Sequence, residues 1–285
     1  TTASYNTAIG FESLAGNTTG AFNVAAGPEA LKANTTGSDN VAVGYQALDA
    51  NTTASNNTAI GSAALGANTT GAYNVGVGRQ VLDANTTGSQ NVAVGYDALG
   101  ANTTASDNIA IGSGAMAANT TGTRNIGIGK AAYDASDTEN DNLAIGYNAM
   151  TTNTAGGTKN VAIGNYAGDA LTSGDNNVAV GYASLGANST GGSNTAVGKD
   201  ALFTNTTASY NVAVGEEALK LNTTGASNTA LGQNSLNSNT TASGNSAVGQ
   251  GSLQANTTGE DNIAIGLAAL DANTTGSGNV AVDKN

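Results

Sequence analysis

Thirteen asparagines at one place of a repeat open an Asn-Thr-Thr or Asn-Ser-Thr triplet that matches N-x-[ST]: Asn17, Asn34, Asn51, Asn68, Asn85, Asn102, Asn119, Asn188, Asn205, Asn222, Asn239, Asn256 and Asn273. The side-chain amide of such an Asn is the acceptor for N-linked glycan, so their near-constant spacing would place a sugar on nearly every turn of a repeating chain. The other reading of the same residues is a stack of Asn and Thr side chains hydrogen-bonded in ladders at a turn, and a repeat copies a fortuitous triplet as readily as a selected one. Regular Thr also suggests an ice-binding face, but these Thr lie beside turn-forming Asn and Gly and not along a strand. Tyr45, Tyr96, Tyr147 and Tyr182 recur at one variable place and offer rings to a cell-surface glycan or protein. Asp39, Asp107, Asp141 and Asp261 precede a recurring Asn and offer oxygens to Ca²⁺. Calcium takes about six to eight such ligands, and the Gly-Gly-x-Gly-x-Asp pattern of calcium-loaded β-rolls is absent, so solvated surface charge is the better reading. It also covers Glu216 and Glu217, a carboxylate pair with no framed partner for acid/base work. The chain has no His and no Cys, which removes the commonest metal ligands, the usual proton shuttle and the Ser/His/Asp and Cys/His constellations. No cofactor and no enzymatic activity are expected.

These residues are positioned by a 17-residue phrase that fills the chain. It opens at Asn6, Asn23, Asn40 and onward to Asn279, and reads NVAVGYQALDANTTASN from Asn40 to Asn56. Numbering its positions 1 to 17, position 1 is Asn, position 3 mostly Ala, position 4 mostly Val or Ile, position 5 Gly and position 9 usually Leu. The step from Asn142 to Asn160 has one extra residue, near Gly156 and Gly157. A short fixed period means a solenoid whose coils stack on their neighbours. Positions 2 to 4, such as Val41-Ala42-Val43, alternate in size like a short strand with two faces. Gly at position 5 supplies freedom for a sharp turn. Positions 7 to 9, such as Gln46-Ala47-Leu48, predict a second short strand, and positions 12 to 17 carry turn chemistry. The expected architecture is an all-β parallel solenoid, a β-roll of 17-residue coils forming one array over residues 1–285. Sixteen steps of ~4.8 Å would extend roughly 75 to 80 Å.

Charged residues are 10% and aromatics 4%, with 40 Gly, so a thick core of large side chains is excluded. A net charge of -12 repels phosphate backbones and argues against nucleic acid as a partner. No apolar run reaches membrane-spanning length, and no strand is long enough for a membrane barrel. If Ala at position 3 and Leu at position 9 face inward, the Val/Ile residues at positions 2 and 4 form an outward apolar stripe too long to leave in water. Self-association follows, with a parallel homotrimer favoured and a dimer also allowed by the pattern. Terminal coils that stack end to end would instead give a filament.

The recurring NTAIG, NVAVG and NIAIG phrases resemble the head repeats of trimeric autotransporter adhesins of the YadA type. The longer form NVAVGYDALGANTTASDNIAIG, from Asn91 to Gly112, resembles repeats in bacteriophage tail-fibre proteins. The resemblance covers essentially the whole chain. It implies a left-handed parallel β-roll, three chains side by side, and an extracellular, cell-surface or virion fibre that contacts a cell. A polysaccharide-cleaving tailspike is the enzymatic alternative. The chain opens inside a repeat, at position 13, and is expected to be an excerpt of a longer protein. From Tyr133 to Asp175 the phrase departs from its rule: position 9 becomes Tyr133, Met150 and Gly168, and the NTT becomes Ser136-Asp137-Thr138, Asn153-Thr154-Ala155 and Leu171-Thr172-Ser173. A local bulge or a specialised contact surface is expected there.

Overall fold

A computed structural model describes residues 3–153 and 156–283. It falls into two compact units, Thr1–Asp141 and Asn142–Asn285. Of the irregular region, Thr154 and Ala155 lie outside the described residues. The first unit carries strands β1 (Thr7–Ile9), β2 (Val24–Ala26), β3 (Val41–Val43), β4 (Thr58–Ile60), β5 (Val75–Val77), β6 (Val92–Val94), β7 (Ile109–Ile111) and β8 (Ile126–Ile128). The second carries β9 (Leu143–Ile145), β10 (Val161–Ile163), β11 (Val178–Val180), β12 (Thr195–Val197), β13 (Val212–Val214), β14 (Thr229–Leu231), β15 (Ser246–Val248), β16 (Ile263–Ile265) and β17 (Val280–Val282). Within each unit consecutive strands pair in parallel, one coil apart and in exact repeat register, such as Val41↔Thr58 and Val178↔Thr195. The inserted residue between Asn142 and Asn160 leaves this register intact, with Leu143 opposite Val161. The extra length is taken up outside the strands, as expected for a turn.

β-Branched residues on either side of a small one make most of the three-residue strands, with one flank replaced in Val24–Ala26, Leu143–Ile145, Thr229–Leu231 and Ser246–Val248. Gly at position 5 ends it. Gly44 has φ 135°, and a Cβ there would lie 2.4 Å from the carbonyl oxygen of Gly61 in the next coil. Only glycine satisfies both the backbone angle and the close approach of the stacked chain.

The predicted second strand is absent. Positions 7 and 9 instead have left-handed φ, 55° at Gln46 and 52° at Leu48, and the segment is a turn. Alternating side-chain size made it look like a strand, yet the same alternation arises when every second residue is left-handed. Its backbone still joins the coils: Leu48 N–H donates to Ala64 O at 3.1 Å and Gln46 N–H to Pro28 O at 3.0 Å. Position 17 is the third left-handed column, as at Asp39 and Asn56. No Val, Ile or Thr occupies position 7, 9 or 17 in any copy, as expected where a branched Cβ would clash.

The interior is thin and half polar. Ala42, Ala47 and Leu48 are fully buried, and so are Asn40 and Asn51. The amides form two ladders. At position 1, Asn57 N–H donates to Asn40 Oδ1 at 3.0 Å. At position 12, Asn51 Nδ2 donates to Asn34 Oδ1 at 2.9 Å. Both columns converge on the carbonyl of position 15: Ala54 O accepts from Asn40 at 2.9 Å and from Asn51 at 3.1 Å. An amide carries donor and acceptor together, so Asn can pass the bond from coil to coil and close each coil across its own interior. The ladder reading of the Asn-Thr-Thr column holds, with the Asn amides pointing inward and the Thr residues on the outer side.

Core volume is conserved by exchange between neighbours. Where Met116 replaces Leu at position 9, Gly127 replaces Ala at position 3 of the following coil, and a Cβ on Gly127 would meet Met116 Cγ at 2.7 Å. Where Gly168 takes position 9, Leu171 takes position 12 and is buried in place of the ladder amide. Tyr133 is fully buried. In its coil the ladder residue is Ser136, which leaves the preceding Asn119 Oδ1 without a partner. Glu139 turns its carboxylate inward to accept from Ser136 Oγ at 2.8 Å and from the Asp137 and Thr138 N–H groups at 3.2 Å.

Candidate functional site

The outward face of each sheet is the most extended candidate surface. Ala at position 3 points inward, so positions 2 and 4 point out. In-register pairing aligns them into columns, Val43 beside Ile60 and Val94 beside Ile111. Position 4 runs from Ile9 to Ile128 in the first unit and from Ile145 to Val282 in the second without one polar residue. Its side chains range from half-buried, as at Val94 and Val197, to 41% exposed at Ile60 and 43% at Ile265, with Ile9 and Val282 more open still. Position 2 is less uniform, with Thr58, Thr195, Thr229 and Ser246 among its apolar residues. In each unit the apolar stripe is thus a continuous column with an interrupted companion.

The triplet asparagines lie in the position-12 ladder. Asn34, Asn51, Asn68, Asn85, Asn102, Asn119, Asn188, Asn205, Asn222, Asn239 and Asn256 are fully buried, while Asn17 and Asn273 are half-buried. A glycan would replace an Nδ2 hydrogen, and these hydrogens are engaged, as in Asn222 Nδ2 to Asn205 Oδ1 and to Gly225 O, both at 2.9 Å. In the folded coil these thirteen amides are not presented to a transferase, whereas Asn56, which opens Asn-Asn-Thr at position 17, is exposed. Position-13 hydroxyls are engaged as well, Thr35 Oγ1 donating to Thr52 O at 3.0 Å.

Position 6 is exposed in every copy, as its variation predicts. Tyr45, Tyr96, Tyr147 and Tyr182 stand 40% to 52% exposed. The Arg79 guanidinium lies 5.9 Å from the Tyr96 ring centroid. In the second unit Tyr147 and Tyr182 are joined by Tyr166, at position 7 of the intervening coil, through edge-to-face contacts of 5.4 and 5.8 Å. Reading position 6 alone misses Tyr166, and it misses position 17, where Tyr5 and Phe22 stack with centroids 5.1 Å apart. The signal in sequence was the free variation of positions 7 and 17, which matches that of position 6.

The acidic candidates are dispersed. Asp107 accepts from Gln90 at 2.9 Å, and Asp141 holds Arg124 at 2.6 and 3.0 Å. Asp39 and Asp261 are exposed. Among the described residues no three potential metal ligands gather. Glu216 and Glu217 face different cations, Lys199 at 3.5 Å and Lys220 at 2.7 Å, and the hydrogen bond from Lys220 holds the Glu217 carboxyl below its ordinary range. No helix among the described residues is long and apolar enough to cross a membrane. No protein-family model matches the chain, and no curated protein matches it.

Proposed function

We propose that the chain is a structural and adhesive fibre module, working as a parallel homotrimer outside the cell or on a virion, in a phage tail fibre or a bacterial surface adhesin. The observation that carries this reading is the unbroken position-4 column, held in register on the outward face of the sheet in each unit. Fully burying a Val or Ile is worth about 1.5–3 kcal/mol, so covering the two-fifths exposed at a residue such as Ile60 yields roughly 0.6–1.2 kcal/mol per residue. The seven Val and Ile residues of the position-4 column in the first unit then supply about 4–8 kcal/mol gross, comparable with the roughly 4–15 kcal/mol lost on association. Closed symmetry lets every copy cover its stripe at once and prevents open-ended growth. The resemblance of the NVAVG phrases to adhesin heads and tail-fibre repeats supports the same assignment. Catalysis plays no part in it.

Because gain and cost are close, one charge per unit is enough to separate the chains. Light scattering coupled to gel filtration should give three chains for the native protein and one for the double variant Ile111→Lys, Val214→Lys, with unchanged circular dichroism. A native protein that runs as one chain at micromolar concentration overturns the reading; a filament whose length survives both lysines would replace it with end-to-end polymerisation.

A further inference from the structure

The edge-to-face run Tyr147, Tyr166, Tyr182 borders a groove in the second unit. Its volume is about 370 Å³, and Tyr166, Asp169, Tyr182, Asp200 and Phe203 supply its large and charged side chains. The groove is built by three successive coils. Tyr166 and Asp169 come from positions 7 and 10 of the first, Tyr182 from position 6 of the second, and Asp200 and Phe203 from positions 7 and 10 of the third. Gly186, at position 10 of the middle coil, forms the floor. A Cβ on Gly186 would lie 2.9 Å from the Phe203 ring, so the missing side chain is what lets that ring lie across the coil beneath it. Tyr182 and Phe203 remain 52% and 37% exposed.

We propose that this groove binds a pyranose ring of a neutral sugar within an oligosaccharide chain. The size falls in the lower part of the range for small-ligand sites, about 300–1,000 Å³. Exposed ring faces match the C–H face of a pyranose, and phenol and carboxylate oxygens at the rim match its hydroxyls. Charge selects among sugars. Asp200 is neutralised by Lys220 at 3.7 Å and Lys199 at 3.9 Å, and both lysines are also paired with Glu217 and Glu216 respectively. Neither lysine is left free for an anionic sugar, and the net charge of -12 repels one. A quaternary ammonium ligand is disfavoured by ring geometry. The tyrosines stand in a row at 82° and 77° to one another, which lines an elongated face and does not wrap a point charge. Asp169 faces the groove as the acceptor without a lysine at salt-bridge distance among the described residues, and burial pushes its carboxyl up.

This inference goes beyond self-association, since one chain supplies the whole groove, and its failure would leave the fibre assignment standing. The chain has nine Tyr and no Trp, so tyrosine fluorescence and ring NMR signals report on the site directly. The full chain is titrated at millimolar ligand with cellohexaose, maltohexaose and N-acetylchitohexaose, with polysialic acid and tetramethylammonium as charged comparisons. At least one neutral oligosaccharide should bind saturably and shift the Tyr166 and Tyr182 signals. Tyr182→Ala should weaken it about tenfold or more, the effect of roughly one lost aromatic contact. Gly186→Ala should weaken it by displacing Phe203, and Tyr45→Ala should leave it unchanged. Melting curves of the exposed-site variants Tyr182→Ala and Tyr45→Ala report folding independently. The proposal is overturned if none of the neutral sugars binds, if binding survives Tyr182→Ala, or if tetramethylammonium or polysialic acid binds in their place.

Discussion

Replacing Asn85 by Ala tests whether the amide ladder holds the coils together. Asn85 Nδ2 donates to Asn68 Oδ1 at 2.9 Å and to Gly88 O at 3.0 Å, and its Oδ1 accepts from Asn102 Nδ2 at 2.8 Å. After truncation Gly88 O keeps its bond from Asn74 at 2.8 Å, and Asn102 keeps Ala105 O at 3.2 Å. Asn68 Oδ1 loses its donor while fully buried. An orphaned buried acceptor costs about 1–3 kcal/mol, and each lost hydrogen bond about 1 kcal/mol net. We expect a loss of roughly 2–4 kcal/mol, confined to the coils around residue 85 because stacked repeats couple mainly to their neighbours. Native-state hydrogen exchange reads this locally where a single melting temperature does not. Protection should fall at Thr86, whose N–H bonds to Thr103 O at 2.9 Å, and stay unchanged in the second unit. Thr87→Ala, at an exposed site of the same turn, should change protection by less than about 0.5 kcal/mol. If Asn85→Ala costs no more than Thr87→Ala, the ladder is not a source of stability and the account of the interior is wrong.

Two further predictions concern the backbone and the charges. Gly44→Ala forces a Cβ against Gly61 backbone at φ 135° and should destabilise by at least about 2–4 kcal/mol. Gly66→Ala, whose added Cβ meets nothing closer than 3.5 Å, should be neutral or stabilising by about 0.4–1 kcal/mol in chemical denaturation. Burial, followed by the repulsion of Asp97, raises the carboxyls of Asp83 and Asp134. A raised folded-state value means that the folded chain binds these protons more tightly than the unfolded one. The contribution is therefore full below the ordinary Asp range and is lost as pH rises through the raised values. Asp97→Asn should lower both titration midpoints by NMR and flatten this acid-side gain in the first unit; unmoved midpoints would refute the coupling.

The period, the short strand, the glycine turn and the exposure of position 6 were legible because each leaves a direct mark in composition. The second segment was misread because Gln46-Ala47-Leu48 alternates in size like a strand, whereas its left-handed angles leave a subtler trace: the avoidance of branched residues. The ladder at Asn51 was legible in its repetition, but its burial was not, since a ladder at a turn faces inward only once a second buried amide, Asn40, shares the Ala54 carbonyl. The aromatic groove is invisible along the chain. Tyr166 and Phe203 belong to different positions of the repeat and meet one surface only because parallel coils stack in register.

The coil that opens at Asn160 departs from the rule both inside and outside. Inside, Gly168 and Leu171 replace the standard Leu and ladder Asn, so this coil gives up the amide column that its neighbours share. Outside, it carries Tyr166 and Asp169 of the groove. The two departures need not have coincided, because positions 7 and 10 point away from the core and vary in coils whose ladder is intact, such as the one holding Gln46 and Asp49. Relaxing local consistency at a coil that bears a distinctive surface is the pattern expected where binding competes with stability. A purely structural irregularity would alter the core and leave the exposed residues as ordinary as elsewhere. Here the surface changes with the core, as the proposed sugar groove requires of this coil.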